Sequence, residues 1–468
     1  GENMIKVGTS RVDITPPIGM PHANWGSSTH QVAEGIDMPM YCYSMYLESE
    51  SSKNKVVILD FDLCSMSEEI DGMVRDAVIS SLDIPRENIR ICLSHTHAGP
   101  PYGKDNLNGA GWITEGVELI NPYYDSFPEK ISKAIDEAVG SVVDCNVSYG
   151  NGRSDININR RPADKSGALF TGRNWDGPVD HSVDVIGFDA ADGTPVATIV
   201  GYACHPTILG PENRLLSPDY PGHMRKTVEE IIGGRCLFFQ GYAGNQGPVH
   251  TFVGDVEAAR KAGKVLGLEA SKVRMSIDPF EREEKLVEII PAGADLGMYE
   301  DVIISEPNDD LVISNTYVDL PTLDFPSYEE ASKVFELALE ELKKARESGN
   351  QEEIKKEVSK VKRANFTRKL TQISEGGKVN IWIQTIKIGN IIFQGLPLEP
   401  FMEFSNKIKS LNPDKKIFWS GYTNGWLGYL PTAKSYEEGG YETRTTPLSP
   451  ESEELIIDIC DSEIKKLH

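Results

Sequence analysis

The fold is decided by a stretch that reads Asn88-Ile-Arg-Ile-Cys-Leu-Ser-His-Thr-His-Ala-Gly-Pro100. Its apolar first half predicts a buried strand, and an apolar run at residues 55–63 predicts another strand before it. Residues 68–81, between the two runs, have the apolar spacing of a helix. Together the three segments predict a strand–helix–strand unit whose second strand ends at two histidines.

The rest of the chain continues this alternation of apolar runs and helical patterns. Further strands are predicted at 183–188, 197–203, 235–239, 381–388 and 390–394, and further helices at 123–139, 222–232 and 255–272. The pattern predicts an α/β fold in which a mixed β-sheet is layered with helices. Residues 327–370 differ, because Ser327 is a suitable N-cap and the charged helical pattern breaks at 348–350. We expect a helical hairpin there, inserted within a single domain that covers residues 4–468.

Composition limits the class of partner. The chain has 468 residues, with 71 acidic and 47 basic side chains and a net charge of −24. A field of that sign repels nucleic acid and anionic membrane surfaces, so a small molecule is the expected partner. Self-association into a homo-oligomer is a further possible interaction.

The location is expected to be cytoplasmic. No apolar run is long enough to span a bilayer, and no basic segment precedes an apolar stretch near the N-terminus. Three residues precede Met4, so the alternative that a signal peptide has been removed stays open. The seven cysteines show no CxxC spacing and are expected to be reduced thiols.

Polar residues follow four of the predicted strands, at 94–97, 204–207, 240–246 and 395–399. Ligands of open α/β sheets lie beyond the carboxyl ends of strands, so these segments predict one shared site. His95 and His97 indicate a metal site, but the turn at Gly99 makes them non-equivalent. One is expected to bind metal and the other to work beside it. The alternative is a pair of solvated loop histidines.

A further set of motifs follows a fixed order along the chain, at 11–17 (RVDITPP), 62–63, 94–100, 158–162, 177–180, His205, Glu399 and 428–432. The order of these motifs resembles the neutral/alkaline ceramidase family. The resemblance implies a ceramidase-like catalytic domain and a zinc ion held by His95, His205, Glu399 and Tyr429. Tyrosine is an uncommon zinc ligand, and Tyr422, Tyr436 and Tyr441 are nearby alternatives.

The remaining site residues are assigned by their chemistry and by this resemblance. The expected catalytic groups are His97 for proton transfer, Arg160 for a substrate carbonyl or carboxylate, Asn245 for the oxyanion, and Tyr436. The expected substrate-binding residues are Gly244, Tyr242, Tyr441 and Trp426.

Two departures from the family pattern bear on the substrate. In the family, a serine is assigned as the nucleophile. The matching segment here is Gly-Tyr-Ala-Gly-Asn-Gln at 241–246, in which Gly244 occupies the position of that serine. We also expect no C-terminal immunoglobulin-like domain. Both departures argue against a long-chain sphingolipid as the natural substrate.

The expected function is therefore that of a zinc-dependent hydrolase. It would use a metal-activated water on an amide or ester bond of a small polar compound, such as an acylated amino sugar or a lactone. One alternative is a sugar-directed zinc enzyme that cleaves a glycosidic bond or eliminates on a sugar ring. Another is a catalytically silent protein that binds a metal or a ligand.

Overall fold

The computed structural model describes residues 3–22, 24–25, 28 and 30–467. Within these ranges twenty strands are numbered in chain order: β1 Ile5–Asp13, β2 Gly35–Ile36, β3 Tyr41–Ser49, β4 Asn54–Phe61, β5 Ile89–Leu93, β6 Val143–Arg153, β7 Asn157–Asn159, β8 Ser182–Ala190, β9 Pro195–Tyr202, β10 Leu215–Leu216, β11 Arg235–Gln240, β12 Gln246–Pro248, β13 Arg282–Ile290, β14 Leu296–Ile303, β15 Leu311–Pro321, β16 Lys378–Ile388, β17 Ile391–Gly395, β18 Glu399–Pro400, β19 Lys416–Ser420 and β20 Tyr429–Leu430.

Eleven α-helices lie in the same described ranges: α1 Glu68–Ser81, α2 Ile120–Asp125, α3 Phe127–Gly140, α4 Asp219–Ile232, α5 Val256–Ser276, α6 Tyr328–Ser348, α7 Gln351–Ile373, α8 Met402–Leu411, α9 Ser435–Glu438, α10 Tyr441–Arg444 and α11 Ser452–Lys466. The helix expected at 123–139 is divided into α2 and α3 at Ser126. Pro128, in the first turn of α3, has no N–H and suits a helix start.

The main sheet has eight strands in the order β11-β9-β8-β6-β1-β3-β4-β5. The pairs β11–β9 and β4–β5 are parallel, whereas the other neighbours are antiparallel. This arrangement confirms the predicted mixed α/β architecture. It also places the carboxyl ends of β5 and β9 where the histidine-bearing loops begin.

A second sheet, in the order β15-β16-β17-β19, packs against one face of the main sheet. Val56 and Ile58 of β4 face this second sheet, whereas Val57 and Leu59 face α1 and α3. Both faces of β4 are therefore buried, which explains why its sequence is continuously apolar instead of alternating. The predicted strands at 381–388 and 390–394 belong to this second sheet. The periodicity of a strand buried on both faces does not say which sheet it joins.

Helices cover the two outer faces of the stacked sheets. The helices α1, α3, α4 and α5 pack on the main sheet, and α8 and α11 pack on the second sheet. The result is a four-layered arrangement of helices, sheet, sheet and helices. The site described below lies where loops from both sheets meet.

The segment expected to form a helical hairpin contains α6 and α7. Ser327 and Glu330 form a reciprocal capping box at the start of α6, and the Asn350 side chain caps α7. Residues of both helices pack on Trp112 and Ile113, in the loop that follows the histidine motif. The hairpin therefore lies next to the candidate site.

A second projecting element, formed by β13 and β14, had no counterpart in the sequence prediction. Every residue of both strands is exposed, including apolar side chains such as Ile289 and Tyr299. Among the described residues, no helix is both long enough and apolar enough to cross a membrane.

Candidate metal centre

His95 follows β5 in a loop whose backbone is fixed by the main sheet. Its φ of 73° lies in the left-handed region, which is uncommon for a non-glycine residue and is typical of functional sites. Its N–H donates to the Leu63 carbonyl at 3.0 Å. Its Nδ1 lies 2.6 Å from the Cys64 carbonyl oxygen. Protonation of Nδ1 in this bond leaves Nε2 with a lone pair for a ligand.

His205 follows β9 and is oriented in the same way. Its Nδ1 lies 2.7 Å from the Ala243 carbonyl oxygen and 3.1 Å from that of Gln246. Burial, together with the nearby Arg160 guanidinium, lowers the pKa of His205 to about 4. The imidazole is therefore neutral, as a metal ligand must be.

Gln240, at the end of β11, joins the two histidine loops. Its side-chain amide donates to the Ser94 carbonyl at 3.2 Å and to the Cys204 carbonyl at 2.8 Å. Three of the four predicted polar strand ends thus meet through one buried side chain.

Glu399 and Tyr429 are brought together by a short parallel pair, β18 and β20, in which they are direct partners. The Glu399 carboxylate is buried and lies between the two histidines. Its Oε1 is 3.2 Å from His95 Nε2 and 3.1 Å from His205 Nε2. Burial opposes its ionisation, but His95 and His205 outweigh that effect and hold the pKa of Glu399 well below its usual range.

The donor atoms of His95, His205 and Glu399 all lie within 4.8 Å of one another, close enough for one metal ion to contact all three. Zinc bonds to nitrogen and carboxylate oxygen place tetrahedral neighbours about 3.3 Å apart. The Tyr429 hydroxyl lies 3.4 Å from His205 Nε2, at the distance of a fourth donor. The donor chemistry and spacing of His95, His205, Glu399 and Tyr429 therefore fit a zinc ion.

His97 lies beside this group. Its Nε2 is 3.3 Å from His95 Nε2, and its ring packs at 5.1 Å from the ring of Trp25. Its Nδ1 is buried with no hydrogen-bond partner among the described residues, unlike Nδ1 of the other two imidazoles. Burial and the imidazoles of His95 and His205 lower the pKa of His97 well below its usual range. The imidazole is therefore unprotonated, and the lowered pKa makes it a weaker base than a free histidine.

Arg160 contacts the proposed fourth ligand. Its Nη2 donates to the Tyr429 hydroxyl at 2.8 Å, and its Nε lies 3.3 Å from Glu442 Oε1. Arg161 lies on the other oxygen of Glu442, at 2.8 Å. The Glu442 carboxylate therefore fixes both guanidinium groups, and it was not predicted from the sequence.

Two of the predicted substrate-binding residues lie at this site. Trp426 donates its indole N–H to Glu399 Oε2 at 2.8 Å, and the Tyr441 ring lies 5.6 Å from the ring of Tyr429. Tyr441 is 46% exposed, so it can contact an entering molecule.

The structure does not bring four other predicted residues to the metal ligands as free functional groups. The Asn245 amide donates to Glu403 and accepts from the N–H of Met402, so both of its polar atoms are bonded to residues at the start of α8. The Tyr436 hydroxyl donates to the Leu448 carbonyl. Tyr242 is buried in the core beside Trp419. Gly244 contributes its backbone N–H to the Pro400 carbonyl at 2.9 Å.

Sequence reasoning missed several neighbours of the site. Tyr422, named only as an alternative ligand, is fully buried with its ring 4.5 Å from that of His95. Cys64 lies with its sulfur 3.6 Å from His95 Nδ1. Neither residue lies in a distinctive motif. Their positions depend on backbone turns that only the folded chain shows.

Comparisons of the sequence with known proteins all match neutral ceramidases. Residues 5–253 match the family model described as neutral/alkaline non-lysosomal ceramidase, N-terminal. Neutral ceramidase of Pseudomonas aeruginosa is 23% identical over 259 residues, which are 52% of this chain and 37% of that protein. Neutral ceramidase of Oryza sativa subsp. japonica is 25% identical over 228 residues, which are 48% of this chain and 28% of that protein.

A solved structure of the Pseudomonas aeruginosa neutral ceramidase shares the fold. It has a TM-score of 0.68 at 18% identity and covers 100% of this chain and 75% of its own. The sequence matches span only about a third of the curated relatives' length. His95 and His205 lie inside the segment that matches the family model, whereas Glu399 and Tyr429 lie beyond it.

Proposed function

Because the chain belongs to the neutral/alkaline non-lysosomal ceramidase family, we propose that it is a zinc-dependent hydrolase that cleaves an amide or ester bond of a small polar substrate. The observation that carries this proposal is the convergence of His95, His205 and Glu399, in which Glu399 Oε1 lies 3.2 Å from His95 Nε2 and 3.1 Å from His205 Nε2. A zinc ion bound there would lower the pKa of a water molecule and polarise a carbonyl.

We assign proton transfer, charge stabilisation and substrate contact to different side chains around the zinc site. His97 accepts and returns the proton, because its imidazole lies beside the ligand group and its Nδ1 has no hydrogen-bond partner among the described residues. Arg160 lies on the Tyr429 hydroxyl and stabilises negative charge that develops on the substrate oxygen. Tyr441 and Trp426 form part of the wall against which the substrate lies.

The environment of Gly244 supports a mechanism without a serine nucleophile. A Cβ atom at this position would lie 2.4 Å from the carbonyl oxygen of Glu399. A side chain cannot fit there unless the metal-binding segment moves. The space that a nucleophile would need is filled by backbone, so activated water is the nucleophile that we propose.

We propose that ceramide itself is not the natural substrate. This rests on Gly244 and on the charged groups at the site, where Arg160 contacts the Tyr429 hydroxyl and shares Glu442 with Arg161. Zinc analysis followed by a screen of acylated amino sugars, lactones, ceramides and glycosides tests the substrate class. Glycoside cleavage in that screen would favour a sugar-directed enzyme instead.

Elemental analysis of the purified protein tests the metal centre. About one zinc per chain is expected, with strong loss in His205→Ala and Glu399→Gln. His250→Ala is the matched control, because His250 is exposed and lies near His205 in the sequence. A wild-type protein that takes up no metal under loading would leave a silent binding protein as the better description.

The cellular setting is part of the same proposal. All seven cysteines are free and buried, which suits a reducing compartment such as the cytoplasm. The net charge of −24 disfavours nucleic acid as a partner. A homo-oligomer is compatible with the exposed apolar side chains of β13 and β14, and light scattering during size-exclusion chromatography measures it.

A further inference from the structure

One face of α7 contacts two loops that carry or adjoin the candidate metal ligands. Tyr102 lies in the loop that carries His95, and Trp426 lies in the loop between β19 and β20. Phe366 and Lys369 are three residues apart on α7, so they share a face of that helix. The Phe366 ring lies 5.3 Å from the ring of Trp426. The inserted hairpin therefore contacts the second of these loops directly.

The ammonium group of Lys369 contacts both loops at once. Its Nζ is 4.5 Å from the centroid of the Tyr102 ring and 4.6 Å from that of the Trp426 ring. Burial lowers the pKa of Lys369 to about 8, and the charge of Glu68 opposes that shift, so the amine stays mainly protonated at pH 7. A cation is attracted to the face of an aromatic ring, and more strongly where water is excluded. One charge therefore connects two loops that are far apart in the sequence.

Trp426 extends this connection to a candidate ligand. Its indole N–H donates to Glu399 Oε2 at 2.8 Å, whereas the other oxygen, Oε1, lies beside the imidazoles of His95 and His205. The hydrogen bond thus fixes the rotation of the carboxylate, because each oxygen has its own partner. Ligating carboxylates depend on such outer hydrogen bonds for their orientation. A side chain that restrains the indole also restrains Glu399.

The hairpin has other contacts that keep it on the rest of the protein. Apolar residues of α6 and α7 pack with Trp112 and Ile113 in a cluster of their own. Arg346 donates to the carbonyl of Trp112. These contacts do not involve Lys369, so the hairpin should stay in place when the lysine charge is removed. The cation–π contacts can therefore be tested separately from the docking of the hairpin.

We propose that Lys369 is a positioning residue for the metal centre, which restrains the Trp426 indole against Tyr102 and so orients Glu399 as a ligand. This inference rests on the proposed function, since it takes Glu399 as a zinc ligand. The inserted hairpin then contributes to the order of the metal centre without supplying a ligand of its own.

Zinc affinity, measured by competition with a chelator, tests this role. Lys369→Met keeps the length of the side chain and removes its charge, so zinc affinity should fall about 3–10-fold. Lys369→Arg keeps a cation for the two rings and should restore most of the wild-type affinity. The visible spectrum of the cobalt-substituted protein is a second readout, because it reports the geometry of the ligands. It should change in Lys369→Met and not in Lys369→Arg.

A double-mutant cycle tests whether the effect passes through the indole. In Trp426→Phe the hydrogen bond to Glu399 is already absent, so adding Lys369→Met should change zinc affinity by less than about twofold. A full effect of Lys369→Met in this background would overturn the proposed route. Lys355→Met is the matched control, because Lys355 is exposed on the same helix, and it should bind zinc like the wild type.

The outcomes separate this inference from the proposed function. Unchanged zinc affinity and an unchanged cobalt spectrum in Lys369→Met would overturn the role of Lys369 and leave the metal centre intact. A wild-type protein that takes up no metal would overturn the proposed function, and this inference with it. If Lys369→Met does not fold, Tyr102→Leu decides the point, since it removes one of the two rings and should also weaken zinc binding several-fold.

Discussion

The left-handed backbone of His95 gives it contacts that differ from those of His97, two residues later. A regular strand would direct both imidazoles to the same face. The φ of 73° turns His95 so that Nδ1 binds the Cys64 carbonyl and Nε2 lies beside Glu399. His97 has no such backbone partner on its Nδ1 among the described residues.

His95→Ala and His97→Ala are expected to fail in different ways. His95→Ala should lose most of its zinc, because it removes a ligand. His97→Ala should keep its zinc and lose activity by about 10²–10⁴-fold, because it removes the proton acceptor. Zinc content and turnover measured on the same preparations separate the two effects. The reverse pattern would exchange the roles assigned to the two residues.

Gly244→Ser is expected to impair the protein and not to create a nucleophile. The new side chain would press on the carbonyls of Glu399 and Pro400, at 2.4 and 2.9 Å from Cβ. We expect a loss of roughly 1–3 kcal/mol in the free energy of unfolding, and weaker zinc binding. Urea denaturation and zinc titration measure both quantities. Gly140→Ser is the control, since a Cβ there meets no atom within 4 Å. Higher activity in Gly244→Ser would contradict the proposed mechanism.

The residue types of the site could be predicted from the sequence better than their contacts. Histidines after apolar runs indicated a metal site, and the family resemblance added Glu399 and Tyr429. The contacts of Asn245 and Tyr436 could not be predicted, because both residues lie in polar loops whose hydrogen bonds depend on distant backbone. Asn245 contacts the start of α8, which lies more than a hundred residues later.

Among whole elements, the loop that carries Trp426 contacts both the hairpin of α6 and α7 and the Glu399 carboxylate. Trp426→Phe removes the hydrogen bond to Glu399 but keeps an aromatic ring for the contacts with Lys369 and Phe366. Zinc affinity should fall about 10–100-fold, because ligating carboxylates depend on such outer contacts. Competition with a chelator measures it. Trp175→Phe is the control, since Trp175 is 72% exposed. An unchanged affinity would show that the hairpin does not influence the metal.

A buried ion-pair cluster joins β4, α4 and β11. Arg225 Nε lies 3.2 Å from Asp60 Oδ2, which also accepts the N–H of Phe238 at 2.8 Å. Arg225 binds Asp62 as well. Burial raises the pKa of Asp60 from 3.8 to about 6, although Arg225 opposes the shift. The folded state therefore binds this proton more tightly than the unfolded chain does.

The sign of the pH dependence follows from that shift. As pH rises from about 4 to about 6, the unfolded carboxyl ionises first, so Asp60 makes the free energy of unfolding fall, by at most roughly 3 kcal/mol. In Asp60→Asn this contribution should disappear, and the curve of stability against pH should fall less over that window. Urea denaturation at several pH values measures it. Asp136→Asn, at an exposed position, should follow the wild-type curve. A steeper fall in Asp60→Asn would contradict the assignment.

Elements were predicted well where their sequence period was clear. The strand–helix–strand unit and the hairpin of α6 and α7 both followed from apolar spacing and caps. The division into two stacked sheets could not be predicted. β4 is apolar on both faces, so its sequence pattern does not indicate which elements pack against each face. The short pair β18 and β20 was also missed, because two-residue strands have no period.

At the scale of the whole molecule, the β13 and β14 hairpin contrasts with the stacked sheets. Each of its residues is exposed, whereas every residue of β5 is buried. A two-stranded hairpin is marginally stable in water. In dilute protein its amide hydrogens should exchange at least about 10²-fold faster than those of β5, as followed by mass spectrometry. Equally slow exchange would show that another surface covers the hairpin.

The overall architecture could be predicted in outline, as an acidic α/β protein with one site at the strand ends. The pairing of Arg160 and Arg161 with Glu442 at that site could not. Residues 352–362 form a charged helical run that reads as a solvated surface, but Val358 and Val361 within it pack with Trp112 and Ile113. Net charge describes the whole surface and does not report the sign inside one site.

The pairing of Glu399 with Tyr429 in β18 and β20 has a consequence for the timing of protein synthesis. A ribosome adds roughly 5–20 residues per second, so Tyr429 emerges tens of seconds after His95. Until then the two histidines lack their carboxylate and phenol partners. We expect a nascent chain that has not yet released Tyr429 from the ribosome to hold zinc weakly and to be inactive, and hydrolytic activity to begin only after that residue has emerged.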